Sequence, residues 1–219
     1  MPSSRDRFSQ ADFALLTEVL APGDQRRHLA RLWDDPEALR EILDLKEVLR
    51  AVLDSPSALQ VSAAFYFYVV VRHAFLQAGL EDADLADYVA GVLSGRVGAE
   101  PGDAFLDAAR GITHAADFLS ILETSRSRMR FHLQLAAGNQ FLVLTGMYPG
   151  FLKQRAERRG APDVEFYEAF AGRAFRGAAD NPEAPAGTPR RLLGTLAEVM
   201  PIARRSLNRM TEEFVFLGE

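Results

Sequence analysis

The chain has 219 residues, 48% of them hydrophobic and 25% charged, with a net charge of −5. That composition is ordinary for a globular protein, and the length suffices to bury a core without covalent staples. It contains no cysteine, which excludes disulfides, thiolate nucleophiles, zinc–thiolate sites and iron–sulfur clusters.

The charge is unevenly placed. Residues 1–124 carry 11 Lys and Arg against 20 Asp and Glu (−9), while residues 125–219 carry 14 against 10 (+4). An acidic half and a basic half suit mutual packing or recognition of a partner, and +4 is weak for a nucleic-acid binder. The opening MPSSRDRFSQADF lacks the apolar core of a secretory signal, and the apolar stretch Val61–Val71 is too short to span a bilayer. The expected location is therefore the cytoplasm, with no membrane partner.

In chain order, nearly every segment reads as helix. Ser9 with Asp12 forms a capping-box pattern ahead of Phe13, Leu16, Val19 and Leu20 on one face, and Pro22-Gly23 ends that helix. Asp24 can cap a short helix bearing Leu29, Leu32 and Trp33. Asp35-Pro36 starts a third, whose apolar positions Leu39, Ile42, Leu43, Leu49 and Leu53 keep helical spacing. Ser55-Pro56 starts a central helix that Gly79 stops. That helix is apolar all round except at Arg72 and His73, so other helices should enclose it.

Further helices are predicted from Asp82 to Ser94, Asp103 to Glu123 and Ser125 to Thr145, then from Tyr148-Pro149 to Gly160 and from Pro162-Asp163 onward. Residues 180–188, DNPEAPAGT, are the most linker-like stretch, and Thr188-Pro189 opens a last helical region that Pro201 should kink or split. Phe65–Val71 is rich in aromatic and β-branched residues and could pass for a strand, but its flanks and total length favour helix. The expected fold is all-α: a single domain, 1–219, of nine or ten helices in orthogonal or bundle-like packing around the buried central helix 55–79.

Four constellations are candidates for chemistry. Arg72, on an apolar helix, must find an anion; Asp82, Asp84, Asp87, Asp117, Glu123 or a ligand's phosphate or carboxylate could supply it. His73 beside it reads either as a hydrogen-bonded core histidine or as a proton carrier. His132, Asn139 and Gln140 interrupt the apolar run of helix 125–145. Together with Arg72, His73 and Tyr148 they could line a ligand pocket with apolar walls and a few convergent polar groups, or they could form a structural network. His114 and Asp117, at i and i+3, are a weak metal pair, and no Glu-x-x-His or His-Glu-x-x-His occurs. Lys153, Arg155, Arg158 and Arg159, with Arg204, Arg205 and neighbouring arginines, could form a basic surface, interrupted by Glu157, Glu165 and Glu168.

Phosphate-binding loops, dinucleotide fingerprints and nucleophile elbows are missing, which disfavours nucleotide hydrolases, dinucleotide enzymes and serine hydrolases. The leading expectation is a helical interaction or regulatory module that binds a protein partner or itself, without a cofactor and without an assigned catalytic residue. The alternative is a small-molecule-binding protein or enzyme that takes an anionic ligand between the central helix and helix 125–145. Nucleic-acid binding through the arginines of 153–159 and 190–209 is a weaker alternative.

Overall fold

A computed structural model describes residues 4–20, 33, 35–96, 118, 121–123 and 125–214, all but the side chain of Arg159, and among them it is all-α, without a strand. Contacts cluster the chain into two compact units, Met1–Gly98 and Ala99–Glu219.

The first unit begins with a 3-10 turn, Ser4–Arg7, followed by α1 (Gln10–Leu20), α2 (Pro36–Leu43), α3 (Lys46–Asp54), a second 3-10 turn (Pro56–Gln60), α4 (Ala63–Gln77) and α5 (Ala83–Ser94). The residues predicted to form a helix after Asp24 lie outside the described residues, apart from Trp33, whose ring centroid is 4.7 Å from that of Phe13. α4 is enclosed as its composition demands: Phe65, Tyr68, Val69, Val70, Val71 and Phe75 are each 0% exposed. Burial of one such side chain contributes about 1.5–3 kcal/mol, whereas the helix propensity of a β-branched residue costs only about 0.5 kcal/mol. Burial therefore decides the conformation, and the strand-like run 65–71 is helix.

Two boundaries differ from the sequence reading. The rod expected over 55–79 is divided, because Ser62 starts a new helix by accepting the Phe65 N–H at 3.1 Å. Asp12 holds Ser62 in place, accepting its N–H at 2.7 Å and its hydroxyl at 2.6 Å. The same buried carboxylate accepts the Ser9 N–H at 2.7 Å. One side chain thus caps α1 and ties it to the start of α4. The third helix is also two: α2 stops at Leu43, and Leu45, with φ −70° and ψ 135°, turns the chain into α3.

The second unit contains α6 (Ser127–Met147), α7 (Pro149–Arg159), α8 (Val164–Asp180) and α9 (Arg190–Phe214). α6, α8 and α9 pack pairwise, and α7 lies against α6 and α8. The caps follow the sequence signals. Asp163 accepts the Phe166 N–H at 2.8 Å, and Gly160, at φ +60°, ends α7 in the left-handed conformation that glycine adopts without strain. α9 runs through Pro201 without splitting. Proline leaves the carbonyl four residues earlier without its helical donor. That carbonyl, of Ala197, stands 3.3 Å from where a Cβ on Gly172 would lie, so the bare glycine of α8 leaves it room.

The predicted helix 103–123 falls outside the described residues except for Phe118 and 121–123, and of the apolar C-terminus only Phe214 is described. Among the described residues no helix is long and apolar enough to cross a membrane.

Close helix approach in the second unit depends on glycine. A Cβ on Gly138 would stand 2.7 Å from the fully buried Phe175 ring, while one on Gly150 would meet nothing within 4 Å. Gly138→Ala is expected to destabilise the protein by about 1–3 kcal/mol through overpacking. Gly150→Ala should stabilise α7 by about 0.5–1 kcal/mol. Urea unfolding of the two variants side by side checks both signs.

Candidate functional site

The break between α2 and α3 places two acceptors against α4. At 7% exposure Arg72 is buried, and it finds its anion in Asp44 rather than in the aspartates that follow the turn after α4. The pair is bidentate, with Nε to Oδ1 at 2.8 Å and Nη2 to Oδ2 at 2.7 Å. The remaining nitrogen, Nη1, donates to the Glu81 carbonyl at 2.6 Å. All three guanidinium nitrogens are thus engaged within the first unit. The hydrogen bonds that Arg72 donates to Asp44 raise its pKa above the ordinary value, outweighing desolvation. The guanidinium therefore stays charged at any physiological pH.

His73, also buried, stands 3.2 Å through Nε2 from the Leu43 carbonyl. A carbonyl only accepts, so Nε2 carries the hydrogen and donates it. Burial pushes the imidazole pKa below its ordinary value; the Arg72 and Lys46 charges act in the same direction, while the Leu43 hydrogen bond and the Asp44 charge oppose it. The tautomer and the depressed pKa together describe a neutral histidine that fastens a helix end.

The other pocket candidates belong to the second unit. His132 and Asn139 are half-buried and seven residues apart on one face of α6, and the His132 ring lies 5.1 Å from that of Phe131. Gln140 is buried. Tyr148 is 45% exposed at the junction of α6 and α7. The six candidates therefore divide between the two units. His114 and Asp117 lie outside the described residues, and among those described no group of three or more His, Asp or Glu is placed to hold a metal ion.

The basic candidates also divide. Arg204 pairs with Glu168 and donates to Asn208 at 3.1 Å. Of the neighbouring arginines, Arg190 donates to the Ala179 carbonyl at 2.8 Å and so closes the end of α8. Lys153 and Arg204 line a hollow of about 350 Å³ with Glu157, Asp163 and Glu165, so its charge is mixed. Arg158 and Arg205 are exposed, and the Arg155 guanidinium lies over the Phe151 ring at 5.4 Å.

Sequence reasoning missed the aromatic surface of this unit. Tyr148 and Phe151 are each 45% exposed, and Phe166, in the first turn of α8, is 39% exposed. The Phe166 ring meets the buried Tyr167 ring at 5.5 Å, and Tyr167 in turn stacks on Phe141 at 5.0 Å. The Arg155 charge acts on the Tyr167 hydroxyl, opposing the upward push of burial on its pKa. Phe151 and Arg155 are thus in contact on α7, as Phe166 and Tyr167 are on α8. The available signal was the recurrence of Tyr148, Phe151 and Arg155 at helical spacing.

Arg72→Ala should cost about 3 kcal/mol, the low end for a broken buried pair, because the Asp44 side chain is 28% exposed. A chemical denaturation loss below about 0.5 kcal/mol would mark a surface position instead. For His73 the unfolded chain binds a proton more readily than the folded one, so its contribution to stability is complete above the ordinary pKa and declines as pH falls below about 6.5. Wild type should therefore lose more stability than His73→Gln between about pH 7.5 and about pH 5.5, measured as the difference in urea midpoints.

No protein-family model matches the chain, no curated protein matches its sequence, and no solved structure matches it.

Proposed function

We propose that this protein is a cytoplasmic interaction or regulatory module that binds a protein partner through the aromatic and arginine face of α7 and the start of α8. The observation that carries this reading is the exposure of three aromatic rings, Tyr148 and Phe151 on the segment that also holds Arg155 and Arg158, and Phe166 at the start of α8. Aromatic and arginine side chains dominate the energetics of protein interfaces: rings bury a large area at low entropic cost, and a guanidinium combines apolar contact with directed hydrogen bonds. Isolated exposed hydrophobics are common on any surface. Here two lie three residues apart, one of them under a guanidinium.

The other charged groups support the same reading. Arg72 donates through all three of its nitrogens within the first unit, which favours a structural role for it over that of a hook for an anionic small molecule. The Arg204–Glu168 and Arg190–Ala179 contacts engage two of the α9 arginines that a phosphodiester backbone would need.

The test is a photo-crosslinking residue at position 148 of the full chain, introduced in cells. A discrete protein adduct is expected, and Phe151→Ala should lower its yield about tenfold, as loss of an interface anchor does. The Ala variant should keep its unfolding midpoint within about 0.5 kcal/mol of wild type, since the ring is at the surface. An adduct of unchanged yield in Phe151→Ala, or no adduct, overturns the reading.

A further inference from the structure

The hollow bounded by α7, the start of α8 and α9 belongs to the side of α7 away from Phe151, Arg155 and Arg158. Gly150, Lys153, Ala156 and Glu157 line it, and at 3.6 residues per turn they fall within an arc of about 120° on that side. Its volume, about 350 Å³, is at the lower end for sites that take small molecules. Ala156 and Val164 give it an apolar wall.

The charges around the hollow are sorted by position. Arg204 is fixed by Glu168 through Nε and by Asn208 through Nη1, and Asn208 in turn donates to the Thr145 and Gly146 carbonyls at the end of α6. Lys153 is one turn nearer the start of α7 than Glu157. The cationic end therefore lies toward the α6–α7 corner. Glu157 precedes the Gly160 turn and Glu165 follows it, so the anionic end lies toward the α7–α8 corner. Asp163 is at that corner too, but its carboxylate already accepts the Phe166 N–H. Lys153, Glu157 and Glu165 are exposed and make no ion pair among the described residues. Lys153 and Glu157 are four apart with the lysine first, the less favourable order for a pair within a helix. Nη2 of Arg204 has no acceptor among the described residues and is not buried. The hollow thus keeps charges of both signs uncommitted at opposite ends.

We propose that the hollow binds a small linear zwitterion, an ω-amino carboxylate, with its carboxylate on Lys153 and Nη2 of Arg204 and its ammonium on Glu157 and Glu165. The site is separate from the protein-partner face and stands or falls independently of it. Lys153 and Glu157 are about 6 Å apart along the helix axis, so the two charges of the ligand have to be spread along a chain. An α-amino acid carries both on one carbon and reaches only one end of the hollow. A simple anion meets the glutamates as like charges, and a simple cation meets Lys153 in the same way, so each gains one end and is opposed at the other. The methylene chain of an ω-amino carboxylate joins the two charged groups and lies along Ala156 and Val164, where its burial adds to the binding.

The experiment titrates the full chain with ε-aminocaproate, and with caproate and hexylamine, which each keep one of its two charged ends. Isothermal calorimetry reads the affinities. Wild type is expected to bind ε-aminocaproate at least about tenfold more tightly than either analogue, as the loss of one set of charged hydrogen bonds requires. Lys153→Gln should bring ε-aminocaproate down to the affinity of hexylamine. Glu157→Gln/Glu165→Gln should bring it down to that of caproate. All three positions are exposed, so the urea midpoints of these variants should stay near that of wild type. Absence of ε-aminocaproate binding, equal binding of either analogue, or an affinity untouched by either set of substitutions overturns the proposal.

Discussion

The first unit depends on one interruption, the end of α2 at Leu43. An uninterrupted helix from Pro36 to Asp54 would bind the Leu43 carbonyl within its own ladder and carry Asp44 around the helix with the other polar residues. With the break, Leu43 offers its carbonyl to His73 and Asp44 offers both carboxylate oxygens to Arg72. Two consecutive residues of α4 thus hold two consecutive residues of the α2–α3 corner. The hydrophobic effect has no preferred direction, and an all-round apolar helix such as α4 could rotate in its socket at little cost in buried area. The bidentate pair and the imidazole bond remove that freedom, since a turn of α4 about its axis would strand a buried guanidinium. In this unit, then, burial supplies the stability and the polar pair selects the orientation.

This division explains what was legible in the sequence. Helix starts at Asp35, Asp163 and Pro149 and the stop at Gly160 were readable because each is a local hydrogen-bonding or conformational event within a few residues. The need of Arg72 for an anion was readable from the apolar run around it. The identity of that anion was not, because Asp44 lies 28 residues away and only the tertiary fold chooses among several acidic residues. The α2–α3 break was hidden for a related reason. The apolar spacing of Leu39, Ile42, Leu43, Leu49 and Leu53 continues across Asp44-Leu45, and no Gly or Pro marks the corner. Ser62 was similarly masked: its role depends on Asp12, 50 residues earlier, which the sequence presents only as a local cap for α1.

The second unit achieves order differently. Its helices approach closely where side chains are absent: Gly138 against Phe175, Gly146 against Leu207 and Gly172 beneath the Ala197 carbonyl. The first two are fits of bulky side chain against bare backbone, the third a fit of one backbone to another. Each limits sliding as well as separation. Asn181 adds a polar lock at one end of this frame, donating to the Ser127 carbonyl at 2.9 Å and accepting the Glu183 N–H at 2.9 Å. The stretch 180–188 is therefore anchored at its first turn, although its composition is that of a linker.

Such a frame matters for a binding face, because a rigid surface loses little entropy when it is covered. The exposed rings of α7 and α8 stand on it through Leu152, Tyr167 and Phe170, all buried. Phe166 is held between Tyr167 and Phe170, whose ring centroid is 6.4 Å away, and Phe151 lies under the Arg155 guanidinium. Contacts of this kind restrict the rotamers open to the Phe151 and Phe166 rings. A partner that covered these rings would be spared part of the roughly 0.5–1.5 kcal/mol per side chain that ordering them costs. The support beneath the exposed rings, rather than their hydrophobicity alone, is what favours this face as the proposed binding surface.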